Sequence, residues 1–232
     1  MTCSLSLKVT VLPVLLLFFV LGLACDRDKV SSRKPDPQAG EAEFADMQTA
    51  AKNSLNTFRK LVTQQNYKEL GFDTVDEVSS AVLGQPIPMF LVRLDQLREY
   101  QPGNDPNRLL NDGHQALYPI TIRTQMRSSI IVGQTGAKWK AVSFGNAGLA
   151  RQIAEVTKQN IATPGAPSSD TLVQVPAFGL YFLGRRSPDN KLTLIPLGSN
   201  PTFNLKAGAS LPAEEVFAAL LPHAKNYNGL PM

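Results

Sequence analysis

The stretch that decides the fold is "SSIIVGQTGAKWKAVSFGNAGLARQIAEV", residues 128–156. It contains two runs rich in β-branched and aromatic residues, "SSIIVGQ" and "KWKAVSFG", and the intervening "TGA" is typical of a hairpin turn. Asn146 then offers a helix-capping side chain before a helical stripe of Leu149, Ile153 and Val156. A hairpin followed at once by an amphipathic helix predicts a domain that mixes strands with helices.

Further strands are predicted on both sides of this stretch. "IPMFLVR" (87–93) is apolar and rich in strand formers, and "ALYPITIRT" (116–124) alternates between an apolar and a polar face. After a Pro/Gly/Ser linker at 161–170, "TLVQVPAFGLYFLGRR" (171–186) is apolar on both faces, which favours one central strand. The turn "SPDN" then leads into "KLTLIPL" (191–197).

Helices are predicted at the flanks of these strands. Apolar residues recur every three or four positions between residues 41 and 66, and "LPAEEVFAALLPHAKNY" (211–227) is amphipathic. A short helix is expected to start at Thr74, where Glu77 completes a capping box, and to end at Gly84. We therefore expect an α+β fold: one domain, residues 41–232, with a largely antiparallel sheet of about five or six strands flanked by N-terminal, middle and C-terminal helices.

Composition narrows the possible functions. Of the 232 residues, 43% are hydrophobic and 18% are charged, as in a globular domain, and the net charge is +4. The densest basic spots, "KWK" (138–140) and "GRR" (184–186), form no stripe that could follow phosphates, so we expect no nucleic acid partner. With only two histidines and no zinc-type spacing, we expect no metal site and no cofactor.

The N-terminus, "MTCSLSLKVTVLPVLLLFFVLGLAC", has the pattern of an export signal. Lys8 precedes an uncharged run from Val11 to Ala24, which is shorter than the ~20 residues of a membrane span. The junction "LGLAC" (21–25) resembles the lipobox of bacterial lipoproteins, with Ala24 as the small residue before the cysteine. This resemblance, which covers the first 25 residues only, implies cleavage before Cys25 and acylation of that residue.

The resemblance implies a place in the cell as well. Residues 1–24 would be a signal peptide and 25–40 a flexible tether, so the domain would be held at a membrane of the bacterial cell envelope, facing the periplasm or the exterior. Cys3 would leave with the signal peptide, and the remaining Cys25 thiol would be capped by lipid. The alternative interpretation is an ordinary signal peptide followed by an incidental cysteine, or an uncleaved anchor.

One pentapeptide suggests catalysis. "AVSFG" (141–145) matches the Ala-x-Ser-x-Gly variant of the nucleophile elbow of some α/β-hydrolase lipases, which lies between a strand and a helix. It would make Ser143 the nucleophile, with His223 as base and Asp189 or Asp170 as acid. Against this hypothesis, the strands around Ser143 look hairpin-linked, and His223 falls inside a predicted helix.

Two further patterns indicate binding. Arg123, Arg127, Arg185 and Arg186 could form a rim for an anionic partner if their strands are neighbours, and "FGLYFLG" (178–184) could line the pocket of an apolar-ligand carrier. The interpretation we favour is a non-catalytic binding or adaptor domain, anchored by lipid, whose partner is another envelope protein or an envelope polymer. The serine hydrolase and the carrier are the alternatives.

Overall fold

The computed structural model describes residues 37–160 and 170–229, with side chains described from Glu43 onward. The predicted signal peptide, Cys25, most of the tether and most of the linker at 161–170 lie outside the described residues. Helix α1 begins at Pro37, four residues before the domain start predicted at residue 41.

The described part of the chain is a mixed α/β fold around one large sheet. The strands are β1 (Val82–Leu83), β2 (Ile87–Val92), β3 (Leu110–Ile122), β4 (Gln125–Thr135), β5 (Lys138–Phe144), β6 (Thr171–Val175), β7 (Leu180–Arg186), β8 (Leu192–Pro196) and β9 (Leu211–Pro212). The α-helices are α1 (Pro37–Leu61), α2 (Leu94–Glu99), α3 (Ala147–Gln159) and α4 (Ala213–Asn226).

The sheet has the order β5-β4-β3-β2-β6-β7-β8-β9, and β1 pairs with β3 beside the start of β2. All its pairings are antiparallel except that of β2 with β6, where Met89 lies opposite Leu172 in parallel register. Two antiparallel halves are thus joined at the centre by one parallel pair. The sequence-based expectation of five or six strands in a largely antiparallel sheet was therefore wrong in strand number: within the described residues the sheet has nine strands, and it is mixed.

One reason for this difference is the segment 171–186, which forms a hairpin and not one central strand. Pro176 begins a short 3₁₀ turn, Pro176–Phe178, and Gly179 follows it with a φ of 62°, a conformation that glycine adopts without strain. The chain therefore reverses, and β6 pairs with β7. The two-residue strands β1 and β9 are the other two strands that the sequence did not predict.

Several local predictions are confirmed. The β4–β5 hairpin turns at Gly136, whose φ is 62°, and Asn146 caps α3 by accepting a hydrogen bond from the Leu149 amide at 3.0 Å. The capping box at Thr74 was wrong. The segment Asp76–Ser80 is a 3₁₀ helix without a side-chain cap, and Glu77 instead accepts a hydrogen bond from the Asp73 amide at 2.9 Å.

Three clusters of buried side chains hold the fold together. On one sheet face, the α4 core packs α2 and α4 against β2 and β6–β8, and the α1 core packs α1 and residues 62–81 against β3–β5. On the other face, the α3 core packs α3 against Leu117, Leu172 and Leu183. Successive side chains of a strand point to opposite faces of the sheet, which explains why the buried residues divide between the two faces. Val173 and Phe182 face the α4 core, and their neighbours Leu172 and Leu183 face α3.

None of the helices in the described residues is both long enough and apolar enough to cross a membrane.

Candidate binding site

Ser143 lies on β5, the edge strand at one end of the sheet. Its side chain is exposed, and its Cα lies opposite that of Ile131 in an antiparallel pair. A turn at Gly145 (φ 74°) leads from β5 into α3, so the strand, turn and helix expected around the serine are present. The elbow of α/β-hydrolases, however, follows a strand of a parallel sheet, whereas β5 belongs to an antiparallel hairpin.

The other two candidate catalytic residues lie at the opposite end of the sheet. Asp189 is in the β7–β8 turn, where Ser187 Oγ donates a hydrogen bond to its carboxylate and Lys191 Nζ lies 2.8 Å from its Oδ2. These hydrogen bonds from Lys191 and Ser187 lower the pKa of Asp189 to about 2. His223 is on α4, where its ring meets the Phe203 ring edge to face at 4.8 Å.

The structure therefore does not bring the candidate triad together. Six strand spacings separate β5 from β8, which at ~4.8 Å each is roughly 30 Å across the sheet. Helix α4, which carries His223, packs on β8 and β9. Asp170, the alternative acid, is also engaged elsewhere, because it forms an ion pair with Arg185.

The four arginines of the predicted rim do not all lie on neighbouring strands, and two of them already have carboxylate partners. Arg127 on β4 donates from Nη2 to Asp73 Oδ2 at 2.5 Å, and Glu77 lies 4.0 Å away. Arg185 on β7 forms a two-pronged pair with Asp170, at 2.6 and 3.2 Å, and also donates to the Asn160 carbonyl at 2.7 Å. These two arginines tie neighbouring segments of the fold together.

Arg123 and Arg186 have different surroundings. Arg123 is exposed in the tight turn between β3 and β4, with a φ of 57°. Arg186 is half-buried at the end of β7 and makes no ion pair with any carboxylate of the described residues. Three strands separate β4 from β7, so the rim is divided between two parts of the sheet.

The segment "FGLYFLG" (178–184) is a core element in the structure. Phe182 and Leu183 are fully buried in the α4 and α3 cores, and Leu180 is 8% exposed. Only Leu183 of this segment lines the large hollow described next. The apolar character of the segment is therefore explained by packing on both sheet faces.

A hollow of about 1720 Å³ opens beside the sheet. Most of its walls come from α1, the segment 84–88, strands β2 to β4 and helix α3, and a few residues of β5, β6 and β7 also contribute. Apolar lining is provided by Ile87, Pro88, Phe90 and Met126, most of them half-buried. The volume exceeds the ~300–1,000 Å³ typical of small-molecule sites, so the hollow has room for an extended ligand.

Charged side chains of both signs also line the hollow. The acids include Glu43 and Asp112, and the bases include Arg151, Lys158 and Arg186. Arg127 and Asp170 line it too, but each is neutralised by its own ion-pair partner. Among the bases, Arg186 is distinguished by being half-buried and held by neighbouring side chains, while Arg151 and Lys158 are exposed on α3.

Arg186 is held by two groups that sequence reasoning missed. Its guanidinium carbon lies 5.5 Å from the centre of the Phe90 ring, and its Nε donates to Asn107 Oδ1 at 3.0 Å. Phe90 lies two strands away from Arg186 in the sheet, and Asn107 is 79 residues away in the chain. The only local signal was "DPN" at 105–107, which indicates a turn and not a contact.

Comparisons of this chain with protein-family models, with curated proteins and with solved structures give no match.

Proposed function

We propose that this chain is a lipid-anchored protein of the bacterial cell envelope whose domain acts by binding another envelope protein or an envelope polymer. The observation that carries the binding role is the hollow of about 1720 Å³, with its half-buried apolar lining and its charges of both signs. An apolar surface with a few oriented polar groups is the usual construction of a binding site. The lipobox-like "LGLAC" supports the anchor.

The binding role is tested in cells with the full-length, anchored protein. A photo-crosslinking amino acid replaces Phe44 or Pro88, which line the hollow, and in a matched control it replaces Lys191, an exposed residue of the β7–β8 turn. We expect the same discrete adduct from both hollow positions and none from the control. Equal labelling at all three positions, or no adduct from the hollow, would contradict the proposal.

The anchor has its own test. Cys25→Ala should abolish incorporation of labelled palmitate and release the protein from the membrane fraction, because the acyl chains attached to that residue would be lost. Cys3→Ala is the control and should change neither result. Labelling that persists in Cys25→Ala would show that the lipid attachment lies elsewhere.

A second candidate, the serine hydrolase, keeps one observation in its favour, the exposed Ser143 at a strand-turn-helix junction. Since His223 and Asp189 lie across the sheet from it, we expect a fluorophosphonate probe to leave the native protein unmodified. Labelling that disappears in Ser143→Ala but not in the neighbouring Ser129→Ala would instead support the hydrolase.

A further inference from the structure

Arg186 differs from the other arginines of the rim in two respects at once. It lines the hollow, unlike Arg123, and it has no carboxylate within ion-pair distance among the described residues, unlike Arg127 and Arg185. Its only hydrogen bond to the described residues uses Nε, and neither Nη atom bonds to any of them. A half-buried guanidinium with an unused pair of donors has more hydrogen-bonding capacity than the fold itself requires.

The side chain is also fixed in place. The Phe90 ring supports the guanidinium from one side through a cation–π contact, and Asn107 holds Nε. Asn107 is itself held, because its Nδ2 donates to Asp105 Oδ1 at 2.9 Å and to the Asn190 carbonyl at 3.0 Å. Fixing an arginine before the ligand arrives lowers the entropy cost of binding.

A purely structural role would explain only part of this arrangement. The Nε bond to Asn107 joins β7 to the turn at 105–109, and one bond is enough for that purpose. The nearby Asp105 carboxylate accepts hydrogen bonds from Asn107. These bonds are the main cause of the lowered pKa of Asp105, and the charge of Arg186 is a lesser cause. The positive charge of Arg186 therefore has no directly bonded counterion among the described residues.

We propose that Arg186 recognises a carboxylate of an acidic peptide segment bound in the hollow, with apolar neighbours of that carboxylate packing on Ile87, Pro88 and Phe90. This inference rests on the binding function proposed above and names its ligand chemistry. Two Nη donors match the two oxygens of a carboxylate in a planar, two-pronged pair. One fixed guanidinium suits a single negative charge, and the apolar lining suits the residues that flank an acid in a peptide.

The test uses the full-length protein in detergent micelles and two matched probes, acetyl-Leu-Glu-Leu-amide and acetyl-Leu-Gln-Leu-amide, titrated by ligand-observed saturation-transfer NMR. We expect the Glu peptide to bind at least about tenfold more tightly than the Gln peptide, a difference that corresponds to one charge-assisted pair. Raising the salt concentration should reduce this preference, because it depends on charge. Equal binding of the two peptides, or binding of neither, would overturn the inference.

Variants then assign the preference to Arg186. Arg186→Gln should abolish the Glu-over-Gln preference. Arg186→Lys should retain about a third of this preference or less, because an ammonium group lacks the planar fork of a guanidinium. The exposed control Arg123→Gln should leave the preference intact. Circular dichroism melting checks that each variant folds. If Arg186→Gln does not fold, Arg186→Lys decides, and a full preference in Arg186→Lys would rule out two-pronged recognition.

Failure of this inference and failure of the binding function give different results. If the hollow crosslinks a partner in cells equally well in the native protein and in Arg186→Gln, the domain binds through the hollow but Arg186 recognises nothing there. If no adduct forms from the hollow in either protein, the proposed function itself is wrong.

Discussion

The α1 core and the α4 core lie on the same face of one sheet, yet they are built differently. In the described residues, all four large hydrophobic side chains that are strongly exposed lie between residues 44 and 142: Phe44, Leu61, Val82 and Val142. All four buried side-chain polar atoms that lack a hydrogen-bond partner are in the same part of the chain: Arg59 Nε, Tyr118 Oη, Arg127 Nε and Ser128 Oγ. The α4 core shows neither feature.

This difference shows that the two parts of the described chain are not optimised for stability to the same degree. Buried polar atoms without partners and exposed apolar side chains both cost free energy in an isolated domain. The hollow lies largely beside the same N-terminal part, since most of its lining comes from α1, β2–β4 and α3. Arg186, at the end of β7, lines the hollow from the other side.

The largest effect is expected in the α4 core. Phe217 is fully buried there and meets the Tyr100 ring edge to face at 5.9 Å, so Phe217→Ala should lower the free energy of unfolding by about 3–5 kcal/mol in urea denaturation. Phe58→Ala, at an equally buried site of the α1 core, should cost about 3 kcal/mol, because that core can relax around its unpaired polar atoms. A larger loss for Phe58→Ala would reverse the ranking of the two cores.

Ion pairs give the second comparison. Asp170→Asn removes the partner of Arg185 at a largely buried site, so we expect a loss of about 2 kcal/mol, between the values for exposed and buried pairs. Asp73→Asn should cost less than about 1 kcal/mol, because the Asp73 side chain is 67% exposed and Glu77 remains near Arg127. Equal losses in urea denaturation would mean that the two pairs contribute alike.

The third effect is a gain in stability. Tyr118 is 2% exposed and its hydroxyl has no hydrogen-bond partner among the described residues, so Tyr118→Phe should raise the free energy of unfolding by about 1 kcal/mol at neutral pH. A loss of that size would show that the hydroxyl is hydrogen-bonded in solution, for example to an ordered water molecule.

The same residue predicts a pH dependence. Burial raises the pKa of Tyr118 from 10.0 to about 12, so between these values the folded chain keeps a proton that the unfolded chain has lost. Stability should therefore fall as the pH rises through this window, by about 2–3 kcal/mol for two pKa units. Urea titrations at pH 9, 10.5 and 12 should show a smaller fall in Tyr118→Phe; equal falls in both proteins would assign it to other groups.

The smallest effect is expected on the outer strand. Val142 on β5 is 47% exposed, so Val142→Ser should change the free energy of unfolding by less than about 0.5 kcal/mol. The fully buried Val132 on the adjacent strand is the control, and Val132→Ser should cost several times more. A large cost at Val142 would mean that this side chain is covered in solution.

The features that the sequence predicts well are local. Asn146, Gly136 and the stripe of Leu149, Ile153 and Val156 each act within a few residues, and each was recognisable from residue type and spacing. The hairpin at 171–186 was missed although Pro176 and Gly179 are turn residues, because an apolar run on both faces also fits a central strand.

The features that could not be predicted join distant segments. The parallel pairing of β2 with β6, the contact of Arg186 with Asn107, and the ion pair of Arg127 with Asp73 all depend on which strands become neighbours. The same limit applies to the rim of four arginines, because the sequence does not show that their strands are divided between two parts of the sheet or that two of them have carboxylate partners. Arg185 forms an ion pair with Asp170, whereas Arg186 lies over the Phe90 ring. This difference between two adjacent arginines is visible only in the three-dimensional structure.

The parallel pair at the centre of the sheet has a consequence for how the chain folds. Met89 and Leu172 are more than 80 residues apart in the chain, whereas β3 follows β2 closely. We therefore expect β2 to pair with β3 first and with β6 much later. During that interval the open side of β2 is a template on which another chain could pair. A chain that ended before residue 170 would keep that edge permanently, and we expect such a fragment to self-associate more than the 232-residue chain does.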